Sequence, residues 1–141
     1  MDEIFIISND RFCVQKKQFF NSNKNTFTII NCFKKFKKIY LIARTSRKKE
    51  KFKEKIHNTK LISVYKIFKF KNEIKKGKTL IISLTPYNFI VGCILILMRI
   101  KKKNLFLFLR SDGYKEYSIK FGKLGGFLYY AMLNFIKIRF N

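Results

Sequence analysis

The sequence predicts an α/β fold in which a mostly parallel, doubly wound sheet carries helices on both faces. Short apolar runs alternate along the chain with segments that have helical spacing or helix-capping residues. The runs are continuous rather than interleaved with polar residues, which is typical of parallel strands buried on both faces. With 141 residues and 48% hydrophobic content, the chain has the size of one compact domain, residues 1–141.

Five of the apolar runs are predicted strands, and polar residues mark where they end. The first run stops at Asn9-Asp10-Arg11 and the second at Thr45-Ser46. Right-handed crossovers between such strands produce an open sheet whose strands all end at one edge. The predicted strands are Glu3–Ser8, Lys38–Arg44, Leu61–Tyr65, Thr79–Leu84 and Asn104–Leu109.

Helices are predicted between these strands. A short helix over Phe70–Gly77 ends at its glycine, and the lysine-rich segment Lys48–Asn58 is a solvated loop or helix. The first helix, capped by Thr26, presents four apolar residues at helical spacing: Phe27, Ile30, Phe33 and Phe36.

The two remaining helices have clearer signals. Thr85 is a good N-cap and Pro86 suits the first helical position, so a helix is expected from there to about Ile100. The glycine-rich Phe121–Gly126 is interpreted as a flexible lead-in to a last helix that continues to the chain end. That helix is predicted to pack through one apolar face made of Leu124, Phe127, Leu128, Ala131, Met132, Phe135 and Ile136.

The chain is strongly basic, with 32 Lys and Arg against 8 Asp and Glu and a formal net charge of +24. Such a charge is typical of proteins that bind nucleic acid or an anionic membrane. However, the lysines are spread over the whole chain, and Lys, Ile, Phe and Asn are over-used together, as AT-rich coding would produce. Three widely spaced cysteines fit a reduced, cytoplasmic compartment. The apolar Asn88–Ile100 permits a membrane-embedded alternative, but it is shorter than the ~20 residues that span a bilayer.

The predicted ligand site is the edge at which the parallel strands end. Its polar, hydroxyl-rich residues suit a sugar or a phosphate-bearing ligand, and the helix start at Pro86 adds free N–H groups. Asp112 is the candidate catalytic carboxylate, although a salt bridge to Arg110 or a turn before Gly113 explains it equally well. The candidate ligand-binding residues are Asn9, Asp10, Arg11, Arg44, Thr85, Tyr87, Asn88, Arg110, Ser111 and Tyr114.

Several common nucleotide motifs are missing from the sequence. It contains neither G-x-G-x-x-G after the first strand nor G-x-x-x-x-G-K-[ST], which disfavours dinucleotide and P-loop chemistry. His57 lies in the lysine-rich segment and is interpreted as a surface residue. No metal or other cofactor is therefore predicted for this chain.

Four stretches at strand ends carry a resemblance to a known family: "IISND", "IYLIARTS", "LIISLTPYNFIVG" and "LFLFLRSDGYKEY". They resemble the N-terminal half of group 1 (family 4-like) glycosyltransferases. The resemblance implies one Rossmann-like domain of a two-domain GT-B fold, in which the N-terminal domain holds the acceptor. The second domain of that family holds the nucleotide-sugar and carries an E-x7-E motif.

The sequence departs from the family in two places. Members often carry a histidine after the fifth strand, where this sequence has Arg110–Gly113. The sequence also stops at Asn141, within the helix before the domain's last strand, and contains no E-x7-E. The resemblance therefore implies an incomplete domain, with the nucleotide-sugar expected from a missing domain or a partner chain.

The expected function is sugar transfer from a nucleotide-sugar to a glycan or lipid-linked acceptor, with this chain inactive alone. The expected location is the cytoplasm, with peripheral contact at the inner membrane face, where aromatic and basic residues of Tyr65–Lys71 would contact anionic lipid. The alternative is a basic protein that binds nucleic acid or an anionic membrane without catalysis. Nucleic acid is disfavoured, because no helix-turn-helix, RNP, KH or zinc signature is present.

Overall fold

The computed structural model describes residues 3–56, 58–100, 104–108 and 112–140. Within these residues a 3-10 helix, Val64–Phe70, joins the strand Thr59–Ser63 to the helix Lys71–Lys76. The strands are β1 Glu3–Gln15, β2 Gln18–Asn21, β3 Lys38–Thr45, β4 Phe52–Glu54, β5 Thr59–Ser63, β6 Thr79–Ser83 and β7 Asn104–Phe108. The helices are α1 Lys24–Cys32, α2 Lys71–Lys76, α3 Pro86–Leu97 and α4 Gly113–Phe140.

Five strands form the parallel part of an open sheet in the order β5-β3-β1-β6-β7. In the centre, Ile6 of β1 lies opposite Leu41 of β3 on one side and Ile81 of β6 on the other. The five predicted strands are present, although the third ends at Ser63 rather than at Tyr65, so the α/β class and the mostly parallel open sheet are confirmed. From β1 the chain builds outward first through β3 and β5, then on the other side through β6 and β7.

The sheet also has an antiparallel part that the sequence analysis did not predict. Strand β1 does not end at Ser8: its register shifts between Ile7 and Arg11, and its second half pairs with β2, which pairs with β4. The expected loop at Asn9–Arg11 is therefore wrong, because Asn9 and Asp10 lie in a bulge inside the strand and Arg11 pairs again with Arg44 of β3. Lys16 and Lys17, both at positive φ, make the two-residue turn. The lysine-rich segment after β3 contains β4 rather than a helix or a featureless loop.

Alternate residues of the strands supply two hydrophobic cores, one on each face of the sheet. Phe5 and Ile7 face the core covered by the 3-10 helix, α2, α3 and α4. Ile4 and Ile6 face the core covered by α1. Helices therefore cover both faces, as predicted for strands that are continuous apolar runs.

Helix α1 differs from its prediction at both ends. Its N-cap is Asn23, whose side chain accepts the N–H of Asn25, so Thr26 lies within the first turn instead of capping the helix. The helix ends at Cys32, and Phe33 and Phe36 lie beyond it, in edge-to-face contact at 6.0 Å between ring centroids. The helical spacing of these phenylalanines therefore extended past the real helix.

Helix α3 confirms its predicted start, with Thr85 as N-cap and Pro86 in the first turn, and it ends at Leu97. Helix α2 is followed by Gly77, as predicted. Among the described residues, no helix has both the length and the apolar character that crossing a membrane requires.

Helix α4 begins earlier than predicted and has a break in its middle. Phe121 and Gly122 depart from helical geometry, and Gly122 has φ 72° and ψ −177°, a conformation that only glycine adopts readily. The predicted packing face is wrong in part. Ile136 is buried, but Leu124 and Phe127 are 69% and 63% exposed, because the helix packs through a neighbouring strip that contains Tyr129.

The close approach of Gly77 to Phe5 gives a test of the packing. A Cβ built on Gly77 would lie 2.0 Å from Cε2 of Phe5, whose buried ring stacks on Tyr40 at 4.5 Å and cannot move aside. We expect Gly77→Ala to lower the free energy of unfolding by about 1–3 kcal/mol. Urea unfolding measures this free energy, and Lys76→Ala on the exposed end of α2 serves as the control. Equal midpoints for the two variants would contradict this packing.

Candidate functional site

A cavity of about 100 Å³ lies at the bulge of β1 and the end of β6, beside the start of α1. It occupies the point at which the strand order of the sheet reverses, which is where α/β sheets bind ligands. Its wall combines apolar strand residues with hydroxyl, amide and carboxylate groups. The polar wall residues are Ser8, Asn9, Asp10, Asn23, Asn25, Thr26, Ser83 and Thr85.

The carboxylate in this wall is Asp10, which the bulge of β1 directs towards α1. The hydroxyl of Thr26 donates a hydrogen bond to Oδ2 of Asp10, and the backbone N–H of Asp10 donates to Oγ of Ser8 at 3.2 Å. A hydrogen bond to an ionised group is among the stronger ones in proteins. The strand and the helix are therefore joined through the group that carries the site's charge.

The start of α1 is held by a chain of asparagine side chains. Oδ1 of Asn21 accepts the N–H of Asn23 at 2.5 Å, and Oδ1 of Asn23 accepts the N–H of Asn25 at 3.1 Å. Asn21 is fully buried, and its Nδ2 has no partner among the described residues. These bonds fix the end of β2 against the helix, so the wall is built before any ligand arrives.

Asn88 holds the two cavity residues on the β6 side, Ser83 and Thr85, through hydrogen bonds. It is fully buried, and its Nδ2 donates to the backbone oxygen of Ser83 at 2.6 Å and to its Oγ at 2.8 Å. Its own N–H donates to Oγ1 of Thr85 at 3.2 Å. Asn88, a predicted ligand contact, is therefore placed beneath Ser83 and Thr85 and orients them.

Arg44, another predicted ligand residue, is engaged by the protein itself. Its Nε donates to the backbone oxygen of Asn9 at 2.8 Å, and Nη2 donates to the same oxygen. The guanidinium also lies 5.2 Å from the ring centroid of Tyr87. Burial raises the pKa of Tyr87 above its ordinary value, and the charge of Arg44 opposes that rise. Arg44 thus clamps the bulge, while Arg11 is exposed beside it in the strand.

The predicted residues after β7 are Arg110, Ser111, Asp112 and Tyr114. Arg110 and Ser111 fall outside the described residues. Asp112 is exposed, and its Oδ1 accepts the N–H of Lys115 at 3.2 Å, which is a helix-capping contact at the start of α4. Tyr114 is half exposed in the first turn of that helix. Neither Asp112 nor Tyr114 belongs to the cavity wall that the described residues form.

Sequence reasoning missed several residues of this wall. Ser8 was predicted to end the first strand, Ser83 to lie within the fourth, and Thr26 to cap a helix. Asn23 and Asn25 stand in the polar run "NSNKN", whose excess of amides before an apolar helix was the one available signal. The bulge that brings this run against β1 has no comparable sequence signature.

The chemistry of the wall suits a small neutral polyol. Hydroxyl and amide groups both donate and accept hydrogen bonds, and Asp10 adds a charged acceptor. The volume is small beside the roughly 300–1,000 Å³ of pockets that enclose whole drug-sized ligands. It therefore fits part of a sugar rather than a nucleotide. No group of three or more His, Cys, Asp or Glu able to hold a metal occurs among the described residues.

Compared with models of known protein families, with curated proteins and with solved structures, the chain shows no match.

The bond between Thr26 and Asp10 can be tested with two matched variants. Thr26 is 8% exposed, whereas Thr28, two residues on in the same helix, is exposed. Thr26→Val keeps the shape but removes the hydroxyl, so we expect it to lower the free energy of unfolding by about 1.5–3 kcal/mol. Thr28→Val should change it little. Urea unfolding of both variants measures the difference, and equal losses would argue against the bond.

Proposed function

We propose that this chain is the acceptor-binding part of a glycosyltransferase, a Rossmann-like domain of GT-B type. The observation that carries the proposal is the cavity at the reversal of strand order, with Asp10 held by Thr26 among hydroxyl and amide groups. The resemblance of the strand-end stretches to group 1 glycosyltransferases supports the same function. The acceptor would be a glycan or a lipid-linked sugar.

Asp10 has the properties that this reaction needs on the acceptor side. A carboxylate accepts up to about four hydrogen bonds, so the bond from Thr26 leaves capacity for an acceptor hydroxyl. As that hydroxyl attacks the anomeric carbon of the donor sugar, the bond from that carbon to the nucleotide phosphate breaks and the nucleotide leaves. The hydroxyl must also lose its proton, which a carboxylate within hydrogen-bond reach takes as general base. Thr26 and Ser8 then keep Asp10 in place, and Ser83 and Thr85 orient the acceptor from the opposite wall.

Asp112 is the competing candidate for this role. Its contact with the N–H of Lys115 accounts for it as a helix cap, whereas Asp10 lies in the cavity wall. The two carboxylates can be compared by the same substitution, because asparagine keeps the size of aspartate and also caps helices well.

The experiment is a titration of the full chain with methyl glycosides and short oligosaccharides, followed by backbone NMR. We expect saturable shifts at Ser8, Asp10, Thr26 and Ser83. Asp10→Asn should weaken binding by about tenfold, the cost of a lost charged acceptor. Asp112→Asn should leave the affinity unchanged.

If Asp112→Asn weakened sugar binding and Asp10→Asn left it unchanged, the catalytic role would move to Asp112 and the assignment to Asp10 would be refuted. Absence of any saturable shift with all the sugars would refute the proposed function itself. Thermal unfolding of both variants serves as the control that the fold is retained.

A further inference from the structure

Helix α4 presents a continuous apolar stripe to the solvent. Its residues recur at helical spacing along the segment that follows Gly122, and four of them are 54% to 74% exposed. We call this surface the α4 stripe. It consists of Leu124, Phe127, Leu128, Ala131, Phe135 and Ile138.

The α4 stripe is not the face through which the helix packs. Tyr129 and Ile136, on the other side of the helix, are buried in the core, where Met132 and Leu133 pack against them. The helix is therefore apolar on two sides, and only one of them is covered. Single exposed apolar residues are ordinary, but contiguous apolar surface marks an interaction site.

The exposed surface continues across the break in α4. Ile119 is 78% exposed and Phe121 66% exposed, just before Gly122. Because the backbone at Gly122 is non-helical, the two parts of α4 can both present their apolar residues outward although their helical phases differ. The apolar surface thus extends along much of the helix.

Positive charge accompanies this surface. Lys115, Lys120, Lys123, Lys137 and Arg139 lie on α4, against the single carboxylate Glu116. Glu116 is paired with Lys120 at 2.6 Å. A second copy of the chain is a poor occupant for the stripe, because each copy has a formal net charge of +24 and the copies repel. The complementary occupant is apolar inside and anionic at its surface.

We infer that the α4 stripe docks on a bilayer that contains anionic phospholipid, with α4 lying along the interface. Aromatic and aliphatic side chains enter the boundary between head groups and acyl chains, while the lysines and Arg139 contact the lipid phosphates. This surface is separate from Tyr65–Lys71, to which the sequence analysis assigned membrane contact. The inference does not depend on what the cavity binds.

The absence of tryptophan from the sequence allows a clean fluorescence test. Phe127→Trp places one reporter in the α4 stripe, and Phe68→Trp places a matched reporter at an equally exposed phenylalanine of the 3-10 helix. With phosphatidylglycerol–phosphatidylcholine vesicles, we expect a blue shift at position 127 and little change at position 68. Phosphatidylcholine vesicles alone, or high salt, should reduce the shift, because the charge attraction is lost.

A second pair of variants measures the affinity by vesicle co-sedimentation. The triple substitution Leu124→Ser, Phe127→Ser and Leu128→Ser should lower binding to the anionic vesicles at least about tenfold. The pair Tyr65→Ser and Phe68→Ser, which also removes exposed aromatics without changing charge, should lower it by less than about twofold. Circular dichroism checks the helix content of each variant, and the tryptophan reporters remain informative if the triple variant unfolds.

Three results would overturn the inference. One is a wild-type chain that does not bind the anionic vesicles. Another is a blue shift for Phe68→Trp but not for Phe127→Trp, or a loss of binding in the Tyr65→Ser and Phe68→Ser pair but not in the triple variant. The third is a wild-type dimer in sedimentation velocity that the triple substitution converts to monomer, because a second copy would then cover the stripe.

Discussion

The bulge in β1 is the constraint on which the rest of this structure depends. Up to Ile7 the strand is held between β3 and β6, and from Phe12 onward it pairs with β2. Between these two stretches the chain leaves β6 and does not yet pair with β2. The backbone polar groups of these residues therefore cannot all form hydrogen bonds between strands. Arg44 donates hydrogen bonds to the backbone carbonyl of Asn9, and the hydroxyl of Thr26 donates one to the carboxylate of Asp10. The same bonds that make the bulge tolerable also fix the wall of the cavity.

The polar groups around the cavity are arranged at a cost to stability. Oδ1 of Asn88 and Nδ2 of Asn21 are buried without partners among the described residues. Each such group costs about 1–3 kcal/mol, and native proteins carry few of them. Both asparagines use their other side-chain atom to hold a backbone segment of the site. The cost is consistent with a wall that is preorganised for a ligand rather than optimised for folding.

The sequence was informative where a local signal decided the structure. Thr85 and Pro86 predicted the start of α3 correctly, because capping and the missing N–H of proline act within one turn. The bulge and the hairpin were not predictable in this way. The turn at Lys16-Lys17 contains no Gly or Asn, and the pairing of Phe12 with Asn21 is a tertiary choice. The packed side of α4 was predicted wrongly in part, because apolar residues surround that helix and its packing against the core is a tertiary choice.

Helix α3 links the cavity to the α4 stripe. It begins beside the cavity at Thr85, and Phe89, one turn later, lies in edge-to-face contact with Phe135 of the stripe at 5.7 Å between ring centroids. One helical turn is about 5.4 Å, so the two surfaces are neighbours along a rigid element. If α4 lies on a membrane, the cavity is therefore held close to the lipid surface without any hinge between them. If the cavity binds the proposed acceptor, an acceptor anchored in that membrane would reach Asp10 more readily than a free glycan from solution, because its search is confined to the plane in which the protein already lies.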